Sequence, residues 1–423
     1  MSIRNSCIVF AFLVASLVIT SGCNGSGNPV YPHDDFATLT IWHSEVIADP
    51  PDYNLDADVA LDPSTGHVFC CWVKKVDDTP EVFWRHGMPG WLSAEEIISP
   101  VDGYRSFRPV LTGGPDGSIH FAWMDQMIDG KQKEIYSRRY QNGVWGPTAL
   151  LSLADGWTGW DPDVEVYADG RPLVAWFDHR FGVQHEIIMR IGDGEGFWWP
   201  DVRMTNDDHW QTYPDIELDI RGTVHLSYTD MRHIPDEWED RTHYAEGKNT
   251  EIYYRTWDGN LSAEVRVSNT PYRSLASRMA VDSAGRAHII WMDDSETGWW
   301  VLRYVMVKDG IPGPMQTVTD SSHRADFAMI ESVGNRIFIV FTEYPDPEGS
   351  PLANCRLYVR EVLPGEGFGE SLLIAGNGLN GWPRTAAEPG RNGLWVIWTE
   401  YLGDDEEFIE GPSRLHLAGI KIK

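Results

Sequence analysis

Apolar and polar residues alternate in short runs along most of this chain. "PDVEVYADGRPLVAWFD" (162–178) shows the pattern once: an alternating segment, a Gly-containing break, and a second apolar segment. Period-two alternation predicts half-buried strands, and the Gly supplies the positive φ of a tight hairpin. The same unit recurs as "DVALDPSTGHVFCCWVK" (58–74), "PVLTGGPDGSIHFAWMD" (109–125), "PDIELDIRGTVHLSYTD" (214–230), "RMAVDSAGRAHIIWMD" (278–293), "FAMIESVGNRIFIVFTE" (327–343) and "RTAAEPGRNGLWVIWTE" (384–400). Each second segment ends on an aromatic residue: Trp72, Trp123, Trp176, Tyr228, Trp291, Phe341 or Trp398. Their mean spacing is about 54 residues, in the range of repeat architectures.

A third strand follows each pair: "EVFWRHG", "EIYSRRY", "EIIMRIG", "EIYYRTW", "WVLRYVMV", "RLYVREV" and "RLHLAGI". A shorter fourth follows six of them: "AEEIIS", "TALLSL", "DVRMTN", "AEVRVSN", "MQTVTD" and "SLLIAG". Four antiparallel strands repeated radially predict an all-β, seven-bladed propeller. The last unit ends after its third strand, and "ATLTIWHSEVI" (37–47) is expected to complete it. That closure would hide both edges of the array. The expected organisation is a leader over 1–22, a tether over 23–36 and the propeller over 37–423.

Composition fits this reading. Of 423 residues, 12% are aromatic and 40 are Gly. At the N-terminus, Arg4 precedes the apolar run "CIVFAFLVASLVIT" (7–20), shorter than a comfortable bilayer span. "TSGC" then places small residues before Cys23. This resembles the lipobox of bacterial lipoproteins, although Thr20 stands where Leu or Val is usual. The resemblance implies lipidation of Cys23, export, and residence in the cell envelope as an outer-membrane lipoprotein that meets the membrane by its lipid anchor only. A plain secretory signal cut near Gly22 is the alternative. Without residues 1–22 the chain carries 33 basic and 63 acidic side chains, a net of −30. Such charge opposes nucleic-acid binding. Cys70, Cys71 and Cys355 show neither metal spacing nor a disulfide framework, and buried free thiols are expected. No cofactor or metal is expected: the acidic stretches 293–298 and 404–411 lack a Ca²⁺ ligand pattern. A monomer is expected.

The pairs Asp178/Arg180 and Asp230/Arg232 after the second strand, with "EIYYR", resemble the BNR-like repeat of the sialidase-like superfamily. The resemblance covers essentially the whole mature chain. It implies a propeller in which repeat acids fix loops. The S-x-D-x-G-x-x-W box of true sialidases is absent, and those enzymes are usually six-bladed. Seven-bladed members of the broad group include lyases acting on acidic glycans.

Segments joining a fourth strand to the next first strand gather at one mouth of a propeller channel. Here they supply Arg105, Arg108, Arg273, Arg278, Arg324 and Arg384, with Trp157, Trp160, Trp210 and Trp382. Aromatic faces stack on sugars and guanidinium forks hold carboxylates, so these residues are the candidate ligand set for an acidic glycan. His209, Tyr213, Tyr272 and His323 are the candidate acid–base or nucleophilic groups for a sialidase-like hydrolase or a polysaccharide lyase. A long insertion, 231–250, enters over the same mouth. The competing reading is a non-catalytic surface scaffold that binds protein, since no complete catalytic motif is present. Unpaired mouth arginines would favour the glycan; arginines each paired to an acid would favour the scaffold.

Overall fold

The computed structural model describes residues 37–49, 53–126, 132–181, 185–234, 249–294, 298–344, 355–363, 367–388, 390, 392–402 and 411–423. The leader, Cys23, the tether and most of the 231–250 insertion lie outside these residues. So do 295–297 and most of 404–411.

Among the described residues, all helical or extended regular structure is β, arranged in six antiparallel sheets. Within a unit the strands follow one another as a meander. In the third unit, Gly159–Val166 pairs with Pro172–Asp178, which pairs with Glu186–Ile191, which pairs with Val202–Arg203. The largest sheet has eight strands, because Leu372–Ala387 pairs with Cys355–Leu363 through its first part and with Gly393–Tyr401 through its second. That continuous strand corrects the expectation that Trp382 and Arg384 lie in a joining segment. In three units the fourth strand is broken into two short pieces, as in Trp91–Leu92 and Glu96–Ile97, both paired to Thr79–Met88.

The first strands are neighbours in cyclic order. Asn54–Leu61 touches Ser106–Gly113, and contact passes on to Gly159–Val166, Gln211–Leu218, Ser274–Val281, Arg324–Val333 and Leu372–Ala387, which returns to Asn54–Leu61. Leu39–Ala48 pairs along Ser413–Ile422, so the N-terminal strand joins the sheet of the last unit.

The repeated aromatics form the walls between sheets. Trp176 is fully buried in a cluster with Val110, Ala122 and Ile135 of the preceding unit. Trp72 likewise packs against Trp395, Ile397 and Leu415 of the last unit. Full burial of such a side chain contributes about 2–3 kcal/mol. Cys70, Cys71 and Cys355 are buried free thiols.

The recurring "EIYYR" strand has a physical role. Its leading acid (Glu81, Glu134, Glu186, Glu251) is buried at the sheet's upper end. Ser99, Ser152 and Thr205 donate to the first three of these at 2.5–2.6 Å, and Ser268 donates to Glu251. The same hydroxyls accept the next backbone N–H, as in Ile135 to Ser152 at 2.8 Å. The Arg four residues on is a staple. Arg85, Arg138, Arg190, Arg255 and Arg360 each donate to a carbonyl of their own fourth-strand segment. Each also donates to the preceding unit, at Ile47, Ile98, Leu151, Met204 and Val318 respectively. The Arg85 staple reaches the N-terminal strand, so closure uses the same bond as four other walls.

Candidate functional site

Every first strand carries one irregularity at the same place. The register slips between Leu55 and Asp58, Phe107 and Val110, Trp160 and Asp163, Thr212 and Asp215, Leu275 and Arg278, Asp326 and Met329, and Gly381 and Arg384. Each slip is a β-bulge whose leading residue adopts a left-handed φ of 46–52°: Asp56, Arg108, Asp161, Tyr213, Ala276, Phe327 and Trp382. None is Gly, so each position stores strain of about 1 kcal/mol. Strain repeated at one level of the inner wall sets seven side chains at the same level.

These side chains meet those of neighbouring units. The Arg108 guanidinium lies 3.8 Å from Asp56 and 3.5 Å from Asp161, yet its side chain stays 49% exposed. Asp161 and then Asp56 hold the Arg108 pKa above its ordinary value. Burial and Asp161 keep the Tyr213 hydroxyl protonated above its usual range. On the other side the Phe327 and Trp382 rings are 4.7 Å apart, and Trp382 meets Tyr401 at 5.2 Å. The bulge level therefore has a polar arc (Asp56, Arg108, Asp161, Tyr213) and an apolar arc (Ala276, Phe327, Trp382).

The next level holds acids that act as latches. Asp58, Asp163 and Asp215 accept the backbone N–H of Leu111, Ile216 and Met279 in the following unit at 3.0, 2.7 and 2.6 Å. Burial raises Asp58 to about 6 and Asp215 to about 7. Arg278 sits 3.5 Å from Asp215, and Arg384 donates to Met329 Sδ at 3.4 Å. Burial, then Arg278, lowers the Arg384 pKa, while Asp58 and Asp163 oppose that shift. Deeper still, Glu165 and Glu217 are pushed well up by burial and neighbouring acids, and burial pushes Glu331 to about 7.

At the rim, Phe177 stacks on His185, His185 on His179 at 3.6 Å, and Trp210 on His185 at 4.0 Å. Burial and the neighbouring His179 drive His185 down to about 3, so it is neutral at pH 7. Lys133 rests 3.4 Å over the Trp160 ring. Burial and then Arg105 lower it to about 8.

The sequence candidates divide by location. Arg108, Trp160, Tyr213, Arg278, Arg324, Trp382 and Arg384 lie on first strands and not in loops. Arg105, Trp157, His209, Trp210, Tyr272, Arg273 and His323 lie outside the strands, in the connecting segments. Four arginines have an acid in contact: Arg108 as above, Arg278 with Asp215, Arg273 with Asp294 at 2.5 Å, and Arg324 with Asp326 at 2.8 Å. Arg105 lies 4.8 Å over Phe107 and has no acidic partner among the described residues. His209 and His323 each stand 3.4 Å from a carboxylate, Asp207 and Glu343. Cys23 lies outside the described residues. Sequence reasoning missed Asp56, Phe327, Lys133, His179 and His185.

The repeat acids hold loops. Trp176 Nε1 donates to Asp178 at 2.9 Å, and Arg180 pairs with the same carboxylate at 2.7 Å. Arg232 is shared by Asp230, Asp207 and Glu264 at 2.6, 2.8 and 2.9 Å. Among the described residues no cluster of three or more His, Cys, Asp or Glu has a metal-binding arrangement.

No family model matches the chain, and no curated protein matches it in sequence. Solved structures do share the fold. One is a protein of unknown function from Dyadobacter fermentans, 11% identical, with a TM-score of 0.54 over 91% of this chain and 99% of that one. Another is the Penicillium chrysogenum alpha-L-arabinanase complexed with arabinobiose, 13% identical, TM-score 0.50, covering 89% and 98%. A third is the polysaccharide lyase Uly1, 11% identical, TM-score 0.53, covering 88% and 90%. At these identities the likeness establishes the fold.

Proposed function

We propose that this chain is an exported, lipid-anchored, seven-bladed propeller whose bulge level binds a glycan at the channel mouth. The carrying observation is the split of that level into two arcs. A sugar ring has apolar C–H faces and a polar hydroxyl edge. The Phe327–Trp382 arc suits the first, and Asp56, Arg108, Asp161 and Tyr213 offer donors and acceptors to the second. The fold's occurrence in an arabinanase and a polysaccharide lyase is in keeping with this reading. The sialidase-like kinship of the repeat belongs to the same proposal.

The ion pairs refine the ligand. An acidic glycan needs guanidinium groups free to fork a carboxylate. Asp56 and Asp161 already flank Arg108, so the polar arc carries one net negative charge. A neutral, hydroxyl-rich glycan fits it better than a uronate. The same pairing is the observation that favours the alternative, a non-catalytic scaffold binding a surface protein.

The test is calorimetric titration with neutral and uronate oligosaccharides, followed by product analysis for hydrolysis and elimination. Binding of a neutral oligosaccharide, lost in Trp382→Ala and weakened in Arg108→Ala, supports the proposal. Binding of uronates alone overturns the neutral assignment. A well-folded protein that binds no glycan moves the weight to the scaffold.

A further inference from the structure

The strands alternate in direction, so each unit has two ends. The mouth lies where first strands begin. The hairpins joining first to second and third to fourth strands lie at the other end, the lower face. That face carries a repeat of its own.

The third-to-fourth hairpins are tight. In two of them the turn residues are Asn142–Gly143, with φ of 51° and 80°, and Asp309–Gly310, with φ of 52° and 73°. Both residues take the left-handed conformation, as a two-residue hairpin requires. The first residue after the turn stands at the hairpin tip. In five successive units it is apolar: Trp91, Val144, Phe197, Leu261 and Ile311, which are 85, 67, 58, 40 and 70% exposed. Isolated exposed apolar residues are ordinary on any protein surface. Recurrence at one position on one face is a pattern, and such patterns mark contact surfaces.

The chain enters the propeller on this same face. Thr38 and Lys423 exchange two backbone hydrogen bonds of 3.0 Å. The Ala37 N–H donates to Glu361 at 2.6 Å, and Glu361 also pairs with Arg336 at the end of a first-to-second hairpin. Cys23 precedes Ala37 by 14 residues, a reach of at most about 50 Å when extended. The proposed acyl group on Cys23 would reach the bilayer through a linker that joins the propeller on this face.

We infer that the lower face docks on a lipid bilayer, with the five apolar tips entering the headgroup boundary and the mouth turned outward. The lipid surface is zwitterionic, because a body of net charge −30 is repelled by anionic headgroups. Interfacial seating needs only shallow insertion of a few large apolar side chains, which hairpin tips provide. The inference uses the anchor to set the direction of approach and owes nothing to the glycan reading.

The test uses the full chain on phosphatidylcholine vesicles whose acyl chains are brominated, which quenches inserted tryptophan. The expected result is quenching of the anchored protein, most of it lost in Trp91→Phe while vesicle binding persists. With the anchor removed by Cys23→Ser, adding Trp91→Ser, Phe197→Ser and Ile311→Ser should lower vesicle partitioning at least about tenfold at an unchanged melting temperature. Vesicle-bound protein without Trp91-dependent quenching overturns the inference. So does a dimer in sedimentation velocity that the three tip substitutions abolish in the absence of quenching; a second copy then covers the face.

Discussion

The wall between units and the bulge level at the mouth follow opposite rules. At the wall one position keeps one residue in most units: Glu81, Glu134, Glu186 and Glu251 in the first four, and Arg85, Arg138, Arg190, Arg255 and Arg360 in five of the seven. At the bulge the backbone repeats, with φ within 46–52°, while seven positions carry six residue types, Asp alone occurring twice. Uniform side chains on a repeated backbone serve the repeat, since each wall solves the same packing problem. Different side chains on a repeated and strained backbone answer to something outside it. The contrast is what supports the bulge level as the proposed site.

The contrast can be broken at the wall first. Trp176→Ala should cost about 3–5 kcal/mol in urea unfolding, because the neighbouring sheets cannot collapse into the void. Loss of a staple should cost less. Arg190→Ala leaves the Leu151 and Trp199 carbonyls without that donor, and about 1–3 kcal/mol is expected from the same measurement.

The buried acids give a pH signature. Burial raises Glu81 and Glu134 to about 7 and Asp58 and Asp326 to about 6, above unfolded values of 3.8–4.5. Their contribution is fully present below the unfolded pKa and is lost as pH rises through 6–7. Burial lowers His120, His185 and His225 to about 4, 3 and 4 from 6.5. Their contribution is present above 6.5 and is lost as pH falls toward 4. The melting temperature should therefore rise by about 2–4 °C from pH 8 to 6.5, then level and fall. Glu134→Gln should flatten the upper part of that curve.

The smallest stability effect belongs to the mouth. Trp382→Ala and Tyr213→Phe should change unfolding free energy by about 1 kcal/mol or less. Trp382→Ala should nevertheless weaken glycan binding at least about tenfold. If Trp382→Ala destabilised as strongly as Trp176→Ala, the bulge residues would be wall and not site.

Much of the wall was legible in the sequence. Alternation and the turn glycines mark the strands, and the missing fourth strand of the last unit points to Leu39–Ala48. The bulge was not legible. No Gly marks it, and a slip in pairing register leaves no trace in a single strand's composition. Arg108, Tyr213 and Trp382 were noticed for their chemistry and placed in loops. Asp56 and Phe327 were passed over, although they share the same backbone. Asp58, Asp163 and Asp215 recur as "DADVA", "PDVEV" and "PDIEL", a signal that reads as ordinary alternation until the next unit is seen to supply the N–H. The Lys133–Trp160 and His185–Trp210 contacts join residues 25 or more positions apart in sequence, which periodicity cannot report.

Leu39 pairs with Ile422. The first strand of the described residues thus waits for the last, more than 350 residues on. Every interior wall can form between units adjacent in sequence, but this one requires the two ends to meet, so it is the slow, non-local step of folding. Until it forms, the facing edges of Leu39–Ala48 and Ser413–Ile422 are unpaired, each a template for pairing with another copy. Closure is in that sense a timing device: the molecule becomes safe from its neighbours only when it is complete.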